Sequence, residues 1–475
     1  VHLFESLMYN PMVEATPRDT YLKLYQAMDK VAYYNKEREF AFGISMYSNK
    51  IQNYEFMNKE NAKGWYTSDG ASYLYNDDLS HYSDDYWATV DPYKLAGITE
   101  TNEARAKGSG MTTMDHSFVG STALGNKYGT VAMDFQNWNK TLTAKKSWFI
   151  LGDRIVFLGS DIKNSTDNEA YTVVDNRKVQ RESRNRSASK NDYSVVADGK
   201  EVPVSDTDNK MQVKDLLLKS QNTQMNIGYK FLEPTTVNVK KENRKGTWKD
   251  INEGQSDEEV ENSFISIVQP HDATNNKYAY VLYPNRSAKE FEEEKNNDDI
   301  QVVENSEKTQ AVFDKTNQIY GVVKYDDSEL TLEDGLVLKE KGIYTIKKEG
   351  NKLDIAFLNP EDPSAGLPAL NTDKYELQNS TEPTVENKIR YYTYLVKKQT
   401  EETTQEQTQE QTQQSSSEST TEIRNTEDSK DSNTTKEETL PATGAKNFEV
   451  YTLLGILLLT ISIILYKKTF TKIKK

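Results

Sequence analysis

Cysteine is absent from these 475 residues, and histidine occurs only four times. Disulfide staples, thiolate zinc sites and cysteine nucleophiles are therefore excluded, stability has to come from core burial, and little remains for a histidine metal cluster. Basic charge is also scarce, with a formal net charge of −15. Eleven acids against three bases in residues 399–439, and six bases against one acid in 445–475, leave the rest of the chain at −12. An acidic body argues against a nucleic-acid partner. Val1 stands where an initiator methionine would, and no basic-plus-apolar leader precedes the fold. HLFESLMY, from His2 to Tyr9, reads as part of a helix with Leu3 and Leu7 on one side, so we read the chain as the C-terminal portion of a longer protein.

What the chain does have is strand signal. Its length allows two or three domains, each with its own core. Phe40, Phe42, Ile44 and Met46 alternate with Ala41, Gly43, Ser45 and Tyr47, the period of a half-buried strand. Val131, Met133 and Phe135 alternate too, SWFIL and RIVFLG flank a Gly152-Asp153 turn, and Tyr278, Tyr280 and Leu282 share one face. The polar, basic run from Asp175 to Ser194 reads as a surface loop. The charged connector from Lys289 to Asp299 cannot build a core and suits a boundary or an exposed helix. Beyond it, Tyr344 and Ile346, then Leu353, Ile355 and Phe357, flank a turn at Glu349 to Lys352, and Ile389 to Val396 closes the region. The expected fold is all-β: a large antiparallel β-sandwich over 31–288, after a helical remnant or connector at 1–30, and a small C-terminal β-domain over 289–398. Residues 399–439 are Gln, Thr, Ser and Glu with almost no apolar side chains, too little to offset chain entropy, and should be a disordered linker.

Between Phe40 and Trp87 carboxylates, amides and aromatic rings are packed unusually densely. Asn53, Tyr54, Glu55, Asn58, Asn61, Trp65 and Tyr66 supply the planar apolar faces and fixed hydrogen-bonding groups that carbohydrate recognition uses. MYSN, NYEFMNKEN, GWYTSDG, YLYNDD and YWATVDPYKLAG follow one another in an order that resembles the β-domain of the family 8 polysaccharide lyases, the hyaluronate, chondroitin and xanthan lyases. That resemblance implies β-elimination on an acidic polysaccharide. A base removes the C5 proton of a uronate, the glycosidic oxygen leaves from C4, and an amide steadies charge on the uronate carboxylate. In the family an Asn, a His and a Tyr do this from a preceding α-helical toroid, and none of them can be placed in this chain. The resemblance carries over a supporting set. Glu55 would orient a catalytic Arg or Tyr across the domain interface, Asn58 would hydrogen-bond the sugar, and Asn61, Trp65 and Tyr66 would neighbour the cleft. His81 and His116 lie outside the family's histidine motif, and His271 reads as packed. Asp77, Asp78, Asp84 and Asp85 lack an EF-hand spacing, and neither a metal nor a cofactor is expected.

LPATG, from Leu440 through Pro441 and Thr443 to Gly444, precedes an apolar run from Val450 to Tyr466 and a basic tail. This resembles a cell-wall sorting signal. The run is just long enough to cross a bilayer, and the lysines hold its end on the cytoplasmic side. A sortase would cut between Thr443 and Gly444 and join the chain to peptidoglycan, so the expected place is the cell wall of a Gram-positive bacterium, with the membrane only a transient partner. A surface adhesin or carbohydrate-binding protein without chemistry would carry the same anchor. The choice among hyaluronate, chondroitin and xanthan is not written in the sequence; the hyaluronate type is favoured by analogy with wall-sorted members of the family.

Overall fold

The computed structural model describes residues 10, 12, 18–179, 192–333, 335–367, 375–377 and 383–397. The helical remnant at His2 to Tyr9, the linker at 399–439, the sorting signal and the apolar run to Tyr466 lie outside them. Among the described residues no helix is long and apolar enough to cross a membrane.

The first strand begins at Tyr21, inside the segment expected to be a connector. Tyr21–Tyr25, Lys30–Asn35, Phe40–Ser45 and Ala71–Tyr75 form a four-stranded antiparallel sheet in chain order. Leu22 and Leu24 of the first strand face the core, but Tyr21 and Tyr25 on its outer side blur the alternation that would have announced it.

Twelve strands make the second sheet, which divides along the twenty-residue strand Ile227–Gly246. The first residues of that strand pair with Tyr278–Pro284, and the branch continues through Ile155–Asn164, Leu142–Leu151 and Tyr128–Gln136 to Val119–Leu124. Its later residues pair with Val260–His271, which leads to Ala170–Val179 and Thr99–Thr101. One core collects side chains from the four-stranded sheet, from both branches and from the shared strand, among them Phe42, Val131, Trp148, Phe157, Ile267 and Tyr280. Trp148 and Ile150 point into that core, while Phe149 and Leu151 point the other way into a second. Burial on both faces is why SWFIL reads as a continuous apolar run.

The second core joins this sheet to an eight-stranded one running from Ile300–Asn305 to Ile389–Val396. Val312, Ile319, Val323 and Ile343 meet Phe149, Leu151, Val156 and Leu158 there. Gly321 permits the approach, since a Cβ on it would lie 2.2 Å from the Phe149 ring. The outer face of the eight-stranded sheet is covered by Leu330, Leu332, Leu336 and Leu338. The charged connector forms the helix Ala288–Lys295, started by a capping box in which Ser287 and Glu290 exchange hydrogen bonds.

The run from Asp175 to Ser194 differs from its expected place on the surface. Its first residues continue the strand Ala170–Val179, with Asp175, Asn176, Arg177 and Lys178 all buried. The charges tolerate this because they compensate one another: Arg177 Nε lies 3.5 Å from Asp175 Oδ2, which also accepts a 2.6 Å hydrogen bond from Tyr229. Residues 180–191 lie outside the described part.

Candidate functional site

Between Ser45 and Ala71 the chain leaves the four-stranded sheet and makes the loop that carries the candidate residues. Glu60 N–H donates to Met57 O at 2.9 Å, closing a tight turn with Asn58 and Lys59 at its centre, at φ 53° and 63°. Asn61 follows at φ 60°. Three non-glycine residues in left-handed conformations within four positions cost about 1–2 kcal/mol each, less for asparagine, and such strain persists only where surrounding contacts hold it. Those contacts are present. Asn61 Nδ2 donates to Glu55 O at 2.8 Å, Asn61 N–H to Asn252 Oδ1 at 2.7 Å and Ala62 N–H to Ile251 O at 2.9 Å, and Lys59 pairs with Glu253 at 2.6 Å. Asn53 ties the loop to the facing segment through Gly110 O at 3.0 Å and Thr112 N–H at 3.0 Å.

On this scaffold Glu55 and Asn58 are exposed, and among the described residues neither side chain has a hydrogen-bond partner. Asn61 is exposed beside them. Trp65 and Tyr66 are placed differently: at 2% and 1% exposure they lie beneath the loop, with no face open to a polymer. Together with Trp138 they surround the buried Arg105 guanidinium, whose carbon is 5.5 Å from the Trp65 ring centre, 5.1 Å from Tyr66 and 4.1 Å from Trp138. Arg105 Nη2 donates to Ser109 O at 2.7 Å, and its charge is further stabilised by the aromatic faces and by the field of Asp69 and Glu100.

Below this cluster Asp69 and Glu100 are both fully buried, near enough for each to act on the other's titration. Burial pushes Asp69 up to about 6 and Glu100 well above the usual carboxyl range, with the charge on Asp69 adding to the rise of Glu100. Lys146, also buried, is pushed down to about 7 and donates to Asp69 O at 2.8 Å and Gly97 O at 2.9 Å. Lys146 thus bridges the backbone where the loop rejoins the sheet to the segment at Gly97. Neither SDG nor TET marks its carboxylate as buried, so nothing local in the sequence could have found this pair.

The histidines other than His2, which is outside the described residues, are engaged. His81 Nδ1 accepts from Lys178 N–H at 3.1 Å, and burial lowers its pKa well below the ordinary value. His271 bridges Thr172 Oγ1 at 2.7 Å and Asn275 O at 3.0 Å and is pushed down to about 4 by burial. His116 is 3.1 Å from Asp134, whose hydrogen bond raises its pKa. Asp78 accepts from Tyr193 and Ser80, and Asp85 from Trp248.

The strand order, the long shared strand and the exposed loop together form a pattern found in other proteins. Residues 20–295 match the family described as polysaccharide lyase family 8, super-sandwich domain, and 301–366 match the C-terminal beta-sandwich domain of the same family. The chain belongs to polysaccharide lyase family 8. Residues 432–469 match the LPXTG cell wall anchor motif, which marks a cell-wall-anchored extracellular protein of a Gram-positive bacterium. Among family 8 members, a hyaluronate lyase of Staphylococcus aureus is 37% identical over 367 residues, covering 76% of this chain and 43% of that protein. A xanthan lyase of a Bacillus species is 29% identical over 390 residues, covering 81% and 41%. The solved structure of a Paenibacillus xanthan lyase matches with a TM-score of 0.69 at 27% identity, covering 82% of this chain and 39% of that one. The chain spans less than half the length of each of these relatives.

Proposed function

We propose that this chain is the β-portion of a wall-anchored lyase that cleaves hyaluronate-type acidic glycosaminoglycans by β-elimination, with the Asn53 to Tyr66 loop as one wall of its cleft. The observation that carries the reading is the pairing of strain with openness. The turn at Asn58 and Lys59 is held in left-handed conformations by contacts to Asn252, Ile251 and Glu253, yet among the described residues the side chains of Glu55 and Asn58 have no partner of their own. A fixed carboxylate and a fixed amide at the surface are what a facing catalytic group and a sugar hydroxyl would use.

In this reading Asn58 and Asn61 hydrogen-bond the polymer, Glu55 orients a catalytic Arg or Tyr across a domain interface, and Trp65 and Tyr66 keep the loop in place through Arg105. In the same reading the groups that move the C5 proton belong to a helical domain outside this chain, as the family resemblance implies. The engagement of His81, His116 and His271 in the β-structure supports that division of labour. The sorting signal at Leu440 to Gly444 would be cut by a sortase and joined to peptidoglycan, leaving the enzyme outside the cell. The ultraviolet absorbance of unsaturated uronate tests this. Residues 1–398 alone should release none from hyaluronate, whereas a chimera that joins residues 18–397 to the part of the Staphylococcus aureus relative outside the 367 matched residues should release it. Turnover by residues 1–398 alone would move the catalytic groups into this chain.

A further inference from the structure

Beside the Glu55 to Asn58 turn the chain encloses a cavity of about 280 Å³, lined by Asn61, Lys63, Trp87, Val90, Trp248 and Asn252 together with smaller side chains. Its size is just below the range that holds drug-sized ligands, which is room for a single ring. Two indoles in the wall of an open cavity are unusual, and both are held firmly. Trp87, 37% exposed, sits on the short helix Tyr86–Thr89. Asn262 Nδ2 pins that helix by donating to Asp84 O at 2.9 Å and Thr89 Oγ1 at 3.0 Å, and Arg244 Nε donates to Thr89 O at 3.1 Å. Trp248 opens a tight turn capped by the Thr247 hydroxyl, and its Nε1–H donates to Asp85 Oδ1 at 2.7 Å. Gly246 lets the turn abut the helix, because a Cβ there would lie 1.7 Å from Ala88 O.

The polar groups of the cavity are placed as sparingly as a sugar site requires. Asn252 Oδ1 accepts from the Asn61 N–H, and its amide nitrogen has no protein partner among the described residues. Lys63, the charged side chain of the lining, and Lys107 converge on one carboxylate, Asp250. Because Asn61 belongs to both, the cavity is continuous with the exposed loop.

We propose that this cavity is a glycan subsite distinct from the Glu55 to Asn58 turn. It takes one pyranose ring of an acidic polysaccharide against Trp87 and Trp248, with hydroxyls on Asn252 and the uronate carboxylate toward Lys63. The assignment rests on the reading of the neighbouring loop as a cleft wall and extends the bound polymer beyond it. Calorimetric titration of the whole chain with a hyaluronate hexasaccharide, and with the same oligosaccharide after reduction of its carboxyls, is the test. Trp87→Ala and Trp248→Ala should each weaken binding about tenfold, the factor given by about 1.4 kcal/mol. Trp248→Phe should retain most of the affinity, and the reduced oligosaccharide should lose several-fold against the wild type and nothing further against Lys63→Met. Wild-type affinity in both alanine variants, with Asn58→Gly weakened, would remove the subsite and keep the cleft wall. Weakening in the tryptophan variants alone would keep the subsite and remove Asn58 from the cleft, and absence of binding by the wild type would remove both. Should Trp248→Ala fail to fold, Trp87→Ala decides, since Trp87 stands at the surface.

Discussion

Asn58 combines two properties that can be separated by substitution: an amide aimed outward and a backbone at φ 53°. Asn58→Gly keeps the turn and deletes the amide, whereas Asn58→Ala deletes the amide and strains the turn. We expect both to weaken hyaluronate oligosaccharide binding alike, while urea denaturation shows a loss of about 1 kcal/mol for alanine relative to glycine. Equal stability of the two variants would mean that the turn is not held as described. Glu100 offers a test in pH. Its folded pKa is raised above the ordinary 4.5 by burial and by the neighbouring Asp69, so its contribution to stability is complete below that value and is lost as pH rises through the folded pKa. Glu100→Gln stays neutral throughout. Its melting temperature should therefore gain on the wild type as pH is raised from about 4 to about 8. A constant difference over that range would contradict the raised folded pKa of Glu100. Residue roles were the least legible part of the sequence: NYEFMN pointed to Glu55 and Asn58, but Trp65 and Tyr66 look like sugar platforms until their burial around Arg105 is seen.

Strands were legible wherever one face is apolar and the other not. The period at Phe40–Ser45, the hairpin about Gly152 and the pair Gly342–Glu349 with Lys352–Leu358 all follow from alternation and turn residues. The division of the large sheet along Ile227–Gly246 does not, because it depends on which distant strands pair with each half of one strand. The burial of Arg177 and Lys178 escaped for a related reason, since their compensating partners Asp175, Ser83 and Asp84 include groups more than ninety positions away. Gly246 is the element-level test of the subsite. Gly246→Ala should force the Trp248 turn off the Tyr86–Thr89 helix, lower stability by about 1–3 kcal/mol, and weaken oligosaccharide binding without touching the ligand. Unchanged melting and unchanged binding would show that the two elements are not coupled.

Across the whole molecule, the twelve- and eight-stranded sheets share a buried face, while the candidate loop belongs to the four-stranded sheet. Phe149 is fully buried between the two, against Gly321. Phe149→Ala should cost about 3–5 kcal/mol by chemical denaturation, and a loss below 1 kcal/mol would mean that the eight-stranded sheet is only loosely attached. The family match shows that these sheets belong to polysaccharide lyase family 8, and the chain covers under half of each relative compared. The central claim is that the Asn53 to Tyr66 loop forms a working wall of a lyase cleft. The most direct measurement is kcat/KM for hyaluronate in the chimera with the unmatched part of the Staphylococcus aureus relative, comparing the parent with Glu55→Gln and Asn58→Gly. Glu55→Gln should lower kcat with KM little changed, and Asn58→Gly should lower kcat/KM about tenfold or more, the effect of one lost substrate contact of about 1.4 kcal/mol. Parental kcat/KM in both variants would contradict the account.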